Sequence, residues 1–227
     1  RFKSQKEMLL SMNVIELFSS IDGEGKRQGF LTTFLRLHDC NIRCSYCDTL
    51  YSYGPESTFE SMSVPSVADV IEQLENHRIT ITGGEPLLQE TAVIELIDEL
   101  TRRNPGYDFN IETNGTIIPS FHRDNVWFTY DYKTPSSLAE DAMNLDIFKV
   151  ATPMDIIKFV VGSMQDLDRM DEILKTYPTD AQIFVSPVWG NIEGATIVDY
   201  MKAHDWQNVR FQLQIHKFIW DPDAKGV

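Results

Sequence analysis

The sequence predicts an α/β chain wound as an open, incomplete (β/α) barrel of about six parallel strands. Short β-branched and aromatic runs alternate with helical patterns along most of the 227 residues. Polar, chemistry-bearing segments follow nearly every run, as in a barrel; a doubly wound sheet, the structural rival, gathers its chemistry at one switch point. The runs number seven, too few for a closed eight-fold barrel.

In chain order the strand candidates are 32–37 (TTFLRL), 79–82 (ITIT), 107–111 (YDFNI), 126–131 (VWFTYD), 156–161 (IIKFVV), 182–186 (QIFVS) and 209–213 (VRFQL). Between them, 66–76 places Val67, Val70, Ile71 and Leu74 at the i, i+3, i+4, i+7 spacing of one helix face, and Val93, Leu96, Ile97 and Leu100 repeat it. Segment 165–177 aligns Leu167, Met170, Ile173, Leu174 and Tyr177; 193–204 gives a weaker stripe of Ile197, Val198 and Met201. Strand–helix alternation predicts a parallel sheet with right-handed crossovers. No low-complexity tract, long linker or repeat interrupts the pattern, so 1–227 is read as a single domain.

A hydrophobic content of 42% supports a substantial core. Lys+Arg 20 against Asp+Glu 34 leaves a net charge of -14, which repels polyphosphate backbones, so neither nucleic acid nor anionic membrane is an expected partner. No apolar run approaches the ~20 residues of a membrane span, and RFKSQKEMLL lacks the apolar core of a signal peptide; a cytoplasmic protein is expected.

The three cysteines, Cys40, Cys44 and Cys47, form C-x3-C-x2-C, a poor disulfide framework and a good metal clamp. A structural zinc site takes four protein ligands, and His38 is the nearest candidate to complete a Cys3His set. Three thiolates on a four-iron cluster would instead leave one iron open, a catalytic arrangement.

C-x3-C-x2-C with Tyr46 before its last cysteine resembles the signature of the radical S-adenosylmethionine (SAM) superfamily. With GEG at 23–25, FLRL at 34–37, CDT at 47–49, TGGEP at 82–86, ETNG at 112–115, DYKTPSS at 131–137 and the C-terminal HKFIW…GV, the chain resembles the 7-carboxy-7-deazaguanine synthase family from about Ile15 to Val227. The resemblance implies a barrel of the radical SAM type and a homodimer. It implies conversion of 6-carboxy-5,6,7,8-tetrahydropterin to 7-carboxy-7-deazaguanine with loss of ammonia, on the way to queuosine, using a 4Fe-4S cluster, SAM and Mg2+. A flavodoxin-like or other low-potential reductant would supply the electron. The alternatives are a radical SAM activase of a glycyl radical enzyme and a non-catalytic, zinc-stabilised binding module.

Residue by residue, the resemblance makes Cys40, Cys44 and Cys47 the cluster ligands and Thr49 the Mg2+ ligand, although Thr49 equally suits a cap. Tyr46, Cys47, Asp48, Gly84, Glu85, Asp131 and Lys133 correspond to SAM-contacting positions. Glu85 reads equally well as a helix N-terminal carboxylate, and Asp131–Lys133 as a surface ion pair. In TGGEP, two glycines let the backbone approach a ligand closely.

For the pterin, the resemblance points to Ile21, Asp22, Gly23, Glu24, Arg36, Thr82, His216 and Val227. A carboxylate at Glu24 accepts from the pterin N–H edge and a guanidinium at Arg36 forks its carboxylate. The plain readings are a snorkelling Arg36 and a core or rim His216. Many family members carry Gln where this chain has Asp22, and a cavity lined by Asp22 and Glu24 is expected to disfavour a second negative charge. Phe218, Ile219 and Trp220 are expected to anchor the last segment against the barrel and bring the Val227 α-carboxylate to the pterin; a frayed end is the alternative.

Overall fold

The computed structural model describes residues 10–222 and 224–227. One nine-stranded sheet organises them, built from β1 (Ser11–Ile21), β2 (Leu31–Leu37), β3 (Glu60–Ser63), β4 (Arg78–Gly83), β5 (Asp108–Thr113), β6 (Val126–Tyr132), β7 (Ile156–Val161), β8 (Gln182–Pro187) and β9 (Val209–Phe211). Its order is β3-β1-β2-β4-β5-β6-β7-β8-β9. From β2 to β9 every pairing is parallel between strands adjacent in order, so no switch point exists and the doubly wound alternative is excluded. The sheet does not close: β3 forms one edge and the three-residue β9 the other.

All seven anticipated runs are strands, one more than the six expected in parallel. The unanticipated part is the edge, where β1 pairs antiparallel with both β2 and β3.

The helices follow from their apolar stripes. α1 (Val64–Gln73) starts at Ser63, whose hydroxyl accepts from the Ser66 N–H, and buries Val67 and Ile71. In α2 (Glu90–Arg103), Val93, Leu96, Ile97 and Leu100 are all buried. α3 (Ile147–Val150) is a single turn; α4 (Met164–Thr176) is capped by Ser163 and buries Leu167, Met170 and Ile173. α5 (Gly194–Ala203) buries Ile197, and α6 (His216–Ile219) is a single turn. No helix among the described residues is long and apolar enough to cross a membrane.

The strands alternate. Ile79 and Ile81, Phe109 and Ile111, Phe128 and Tyr130, and Ile157 and Phe159 belong to the apolar core. Thr82, Glu112, Thr129, Asp131 and Lys158, at the intervening positions, line a cavity on the other face. A sheet buried on both faces thus presents a polar, charged interior.

Candidate active site

The cavity, of about 280 Å³, is lined by residues from β1 through the C-terminal segment, at the ends where the parallel strands finish. The cysteine loop follows β2. Its backbone is pinned by Asp39 N–H to Ser52 O (2.9 Å) and Ser45 N–H to Ser137 O (2.9 Å), and the Cys40 N–H is capped by Asp39 Oδ1 at 2.7 Å.

Two glycines let β4 reach this loop. A Cβ on Gly83 would lie 2.3 Å from the Leu37 carbonyl oxygen and one on Gly84 1.9 Å from that of Asp39. The close approach these glycines permit is therefore to the protein's own backbone, sealed by Gly84 N–H to Leu37 O (3.1 Å) and Glu85 N–H to Asp39 O (2.7 Å).

Cys40, Cys44 and Cys47 are free thiols, each half-buried and opening onto the cavity. Burial raises the Cys40 thiol above its usual range and pushes Cys44 up to about 11. Three soft donors on one loop and one cavity wall suit a cluster with an open iron. His38 is absent from the cavity lining; its ring packs on Phe59 at 4.3 Å, away from the role of a fourth zinc ligand.

Tyr46, Asp48 and Thr49 continue this wall. The Tyr46 hydroxyl donates to Val160 O at 3.3 Å. The Thr49 hydroxyl makes no cap; it donates to Asp48 Oδ1 at 2.8 Å, which sets two hard oxygen atoms side by side. Opposite, Asp131 Oδ2 pairs with Lys133 (3.1 Å) and Lys158 (3.5 Å), while Asp131 Oδ1 is buried without a partner. This is no surface ion pair: the Lys133 and Asp131 side chains are 12% and 19% exposed.

Glu85 takes the second of its two readings, a carboxylate at a helix N-terminus. It does not line the cavity; fully buried, its carboxylate accepts from Leu87 N (2.9 Å), Asn114 N (2.7 Å) and Thr113 Oγ1 (2.9 Å). Burial raises its carboxyl above the usual range, against the pull of those donors. Its carboxylate ties two loops together inside the protein.

At the other end of the cavity, Ile21, Asp22, Gly23 and Glu24 leave β1 together. Glu24 Oε2 receives the Lys158 ammonium at 2.6 Å, and its Oε1 is buried with no partner. Asp22 is 2% exposed and turned inward: it binds Arg27 Nε (3.0 Å) and Thr32 Oγ1 (3.1 Å). Burial raises its carboxyl, with Arg27 opposing. The expected pair of unbalanced carboxylates is thus corrected, since Asp22 is matched by Arg27 and Glu24 by Lys158.

Arg36 projects from β2 into the cavity, its Nε held by Glu16 Oε1 at 2.6 Å, an oxygen that also accepts from Tyr51 at 2.7 Å. Its two terminal nitrogens have no partner among the described residues. Thr82 donates to Glu112 Oε2 at 3.2 Å, and burial raises the Glu112 carboxyl.

The C-terminal segment closes this end. Gly25 N–H donates to Gln212 Oε1 (2.8 Å) and Ile215 N–H to Gly23 O (3.1 Å). His216 packs where a Cβ on Gly23 would lie, 2.0 Å from its Nδ1, and burial lowers its pKa. Val227 lines the cavity, and the Lys225 ammonium sits over Tyr51, 4.2 Å from the ring centre. Phe218 and Ile219 are not anchors; they are 62% and 54% exposed, Phe218 meeting Trp189 edge to face. Backbone bonds at 212–216 tether the segment.

Sequence reasoning missed Lys158, Glu112, Glu16 and Lys217, the last 3.4 Å from Asp48. Lys158 carried a signal: a lone charge within the apolar run IIKFVV, in phase with the polar positions of the neighbouring strands.

The model of the Radical SAM superfamily matches residues 36–160. The chain is 37% identical over 223 residues to a protein named 7-carboxy-7-deazaguanine synthase from Clostridium acetobutylicum, spanning 96% of this chain and 100% of that one. It is 37% identical over 214 residues to a protein of the same name from Methanospirillum hungatei, spanning 93% and 86%. Among solved structures, QueE from Escherichia coli shares the fold, with a TM-score of 0.68 at 23% identity over 89% of this chain and 93% of that one.

Proposed function

Since the chain belongs to the 7-carboxy-7-deazaguanine synthase family of the radical SAM superfamily, we infer that it converts 6-carboxy-5,6,7,8-tetrahydropterin to 7-carboxy-7-deazaguanine with loss of ammonia. The observation that carries this reading is that the three thiols share one cavity with Glu24, Arg36, Thr82 and His216, donors and acceptors suited to a carboxylated pterin.

When bound, the 4Fe-4S cluster and SAM supply one-electron cleavage chemistry and removal of a hydrogen atom from the substrate. Cys40, Cys44 and Cys47 would hold the cluster. Tyr46, Asp48, Gly84, Asp131 and Lys133 would hold SAM, the unpartnered Asp131 Oδ1 supplying a buried acceptor. Arg36, fixed at Nε by Glu16, presents its terminal nitrogens as a fork for the pterin carboxylate. Glu24 offers Oε1 to the pterin N–H edge while Lys158 holds and orients the carboxylate through Oε2. Thr82, His216, Val227 and the Ile21–Gly23 backbone complete that wall.

Mg2+ fits the adjacent oxygens of Thr49 and Asp48, waters and substrate filling its remaining positions. Thr49→Val should spare the cluster and SAM binding, lower turnover and weaken the Mg2+ response; an unchanged Mg2+ dependence would remove Thr49 from the metal. On the family resemblance the enzyme works as a single-domain, cytoplasmic homodimer with a flavodoxin-like or other low-potential reductant. The deciding experiment is an anaerobic assay of the reconstituted protein with the carboxytetrahydropterin, SAM and a strong reductant. Deazaguanine absorbance is expected, and its absence from iron-replete protein would refute the assignment.

A further inference from the structure

Resting on the assignment of the three cysteines to a 4Fe-4S cluster, we propose that Asn114 tunes the reduction potential of that cluster by donating an N–H···S hydrogen bond to the Cys40 sulfur. Asn114 is 6% exposed and lies in the loop after β5. Its Oδ1 accepts from Thr116 Oγ1 (2.7 Å) and Thr116 N (3.1 Å), two donors that settle which end of the amide is oxygen. Nδ2 therefore faces the cysteine loop, where it donates to Asn41 Oδ1 at 2.8 Å and lies 3.6 Å from Cys40 Sγ. The amide has little freedom to turn away.

The same loop explains Glu85. By accepting from Asn114 N and Thr113 Oγ1, its buried carboxylate sets the height of the loop against the cysteines. Glu85 is the positioning residue and Asn114 the donor that reaches the sulfur.

One-electron reduction adds negative charge to a cluster and its ligand sulfurs, so a fixed N–H donor stabilises the reduced state more than the oxidised one and raises the potential. In a chain of net charge -14, whose overall field opposes electron uptake, such a donor assists reduction.

The test is a potentiometric titration of reconstituted holoenzyme, followed by the EPR signal of the reduced cluster, on the parent and on Asn114→Leu and Asn114→Asp. Iron, sulfide and SAM affinity are measured alongside. Asn114→Leu is expected to titrate at a more negative potential with iron content retained. Asn114→Asp, which keeps Oδ1 for Thr116 and replaces the donor by a negative oxygen, should shift further. Glu85→Gln should shift less than either. If Asn114→Leu fails to hold a cluster, Asn114→Asp decides. Iron-replete variants titrating at the parent's potential would overturn the role of Asn114 alone. A parent that takes up no iron would refute the cluster assignment beneath it, a separate and recognisable failure.

Discussion

The Lys158 ammonium stands 2.6 Å from Glu24 Oε2 and 3.5 Å from Asp131 Oδ2, so one buried cation balances two carboxylates that line the cavity. Burial lowers its pKa, but Glu24, Asp131 and Glu112 outweigh that and hold it well above the ordinary lysine value, charged at any working pH. Lys158→Met leaves the desolvated Glu24, Asp131 and Glu112 carboxylates without the cation that holds them in place. The pterin KM should rise at least about thirtyfold at pH 7. Lys158→Arg, which keeps the charge, should recover most of the loss. Steady-state KM for the three proteins checks this, and a Met variant with the parent's KM would contradict it.

Arg36 needs its fork. Arg36→Lys should weaken pterin binding almost as much as Arg36→Ala, by about 1.5–3 kcal/mol, or roughly 10- to 150-fold, because an ammonium cannot bind a carboxylate in two prongs. Glu16→Gln, which weakens the grip on Arg36 Nε, should give a smaller increase in KM with SAM affinity unchanged. Titration calorimetry with pterin and SAM separates the two effects.

Asp22 should behave differently from its neighbour Glu24. Removing one partner from its buried pair with Arg27 by Asp22→Asn should cost about 3 kcal/mol and lower Tm by roughly 5–10 °C. The pterin KM of the folded variant should stay within about threefold, as the lost interaction is internal. Thermal unfolding and KM on the same preparation test the pairing; a large KM change at unaltered Tm would return Asp22 to the substrate.

In cluster-free protein the Cys44 thiol, pushed up to about 11 by burial, stays protonated where an ordinary thiol has begun to ionise. The thiolate fraction at pH 8 falls about a hundredfold and higher intrinsic nucleophilicity restores about tenfold, so alkylation should run about tenfold slower than for a free cysteine. The raised value also fixes the sign for stability: the contribution is full below the unfolded-state pKa and is lost as pH rises toward 11. Apo protein should therefore weaken between roughly pH 9 and 11, and Cys44→Ser should flatten that slope. Mass-resolved alkylation and denaturant unfolding against pH provide the measurements.

The seven parallel strands were legible because each is a short β-branched or aromatic run ending in a polar turn, with helix stripes such as Val93–Leu96–Ile97–Leu100 between. β1 was not, because SMNVIELFSSI gives a partner to each side and alternates poorly, with a break in its register between Val14 and Glu16. β3, ESMS, has one apolar residue, Met62, among three polar ones, which declares no strand without a partner. At the site, local motifs marked which residues gather, since a motif travels with its turn. They did not mark what each side chain pairs with. Asp22 meets Arg27 around the following turn and Thr80 from another strand, and Glu85 meets Asn114 from the end of the next strand; those partners decide whether a carboxylate faces a ligand or the interior.

The seam of Gly83 and Gly84 against Leu37 and Asp39 bears on any attempt to move this chemistry to another scaffold. The cysteine loop has no regular secondary structure through 38–49, and its depth is set by a strand end more than thirty residues away in sequence. A graft of 38–49 alone would carry the thiols and lose the surface that seats them. The smallest transferable unit is two strand ends, β2 with its loop and β4 with its glycine pair. An alanine at 84 in the recipient would reproduce the fault within the native chain, pushing the loop outward by the width of a methyl group.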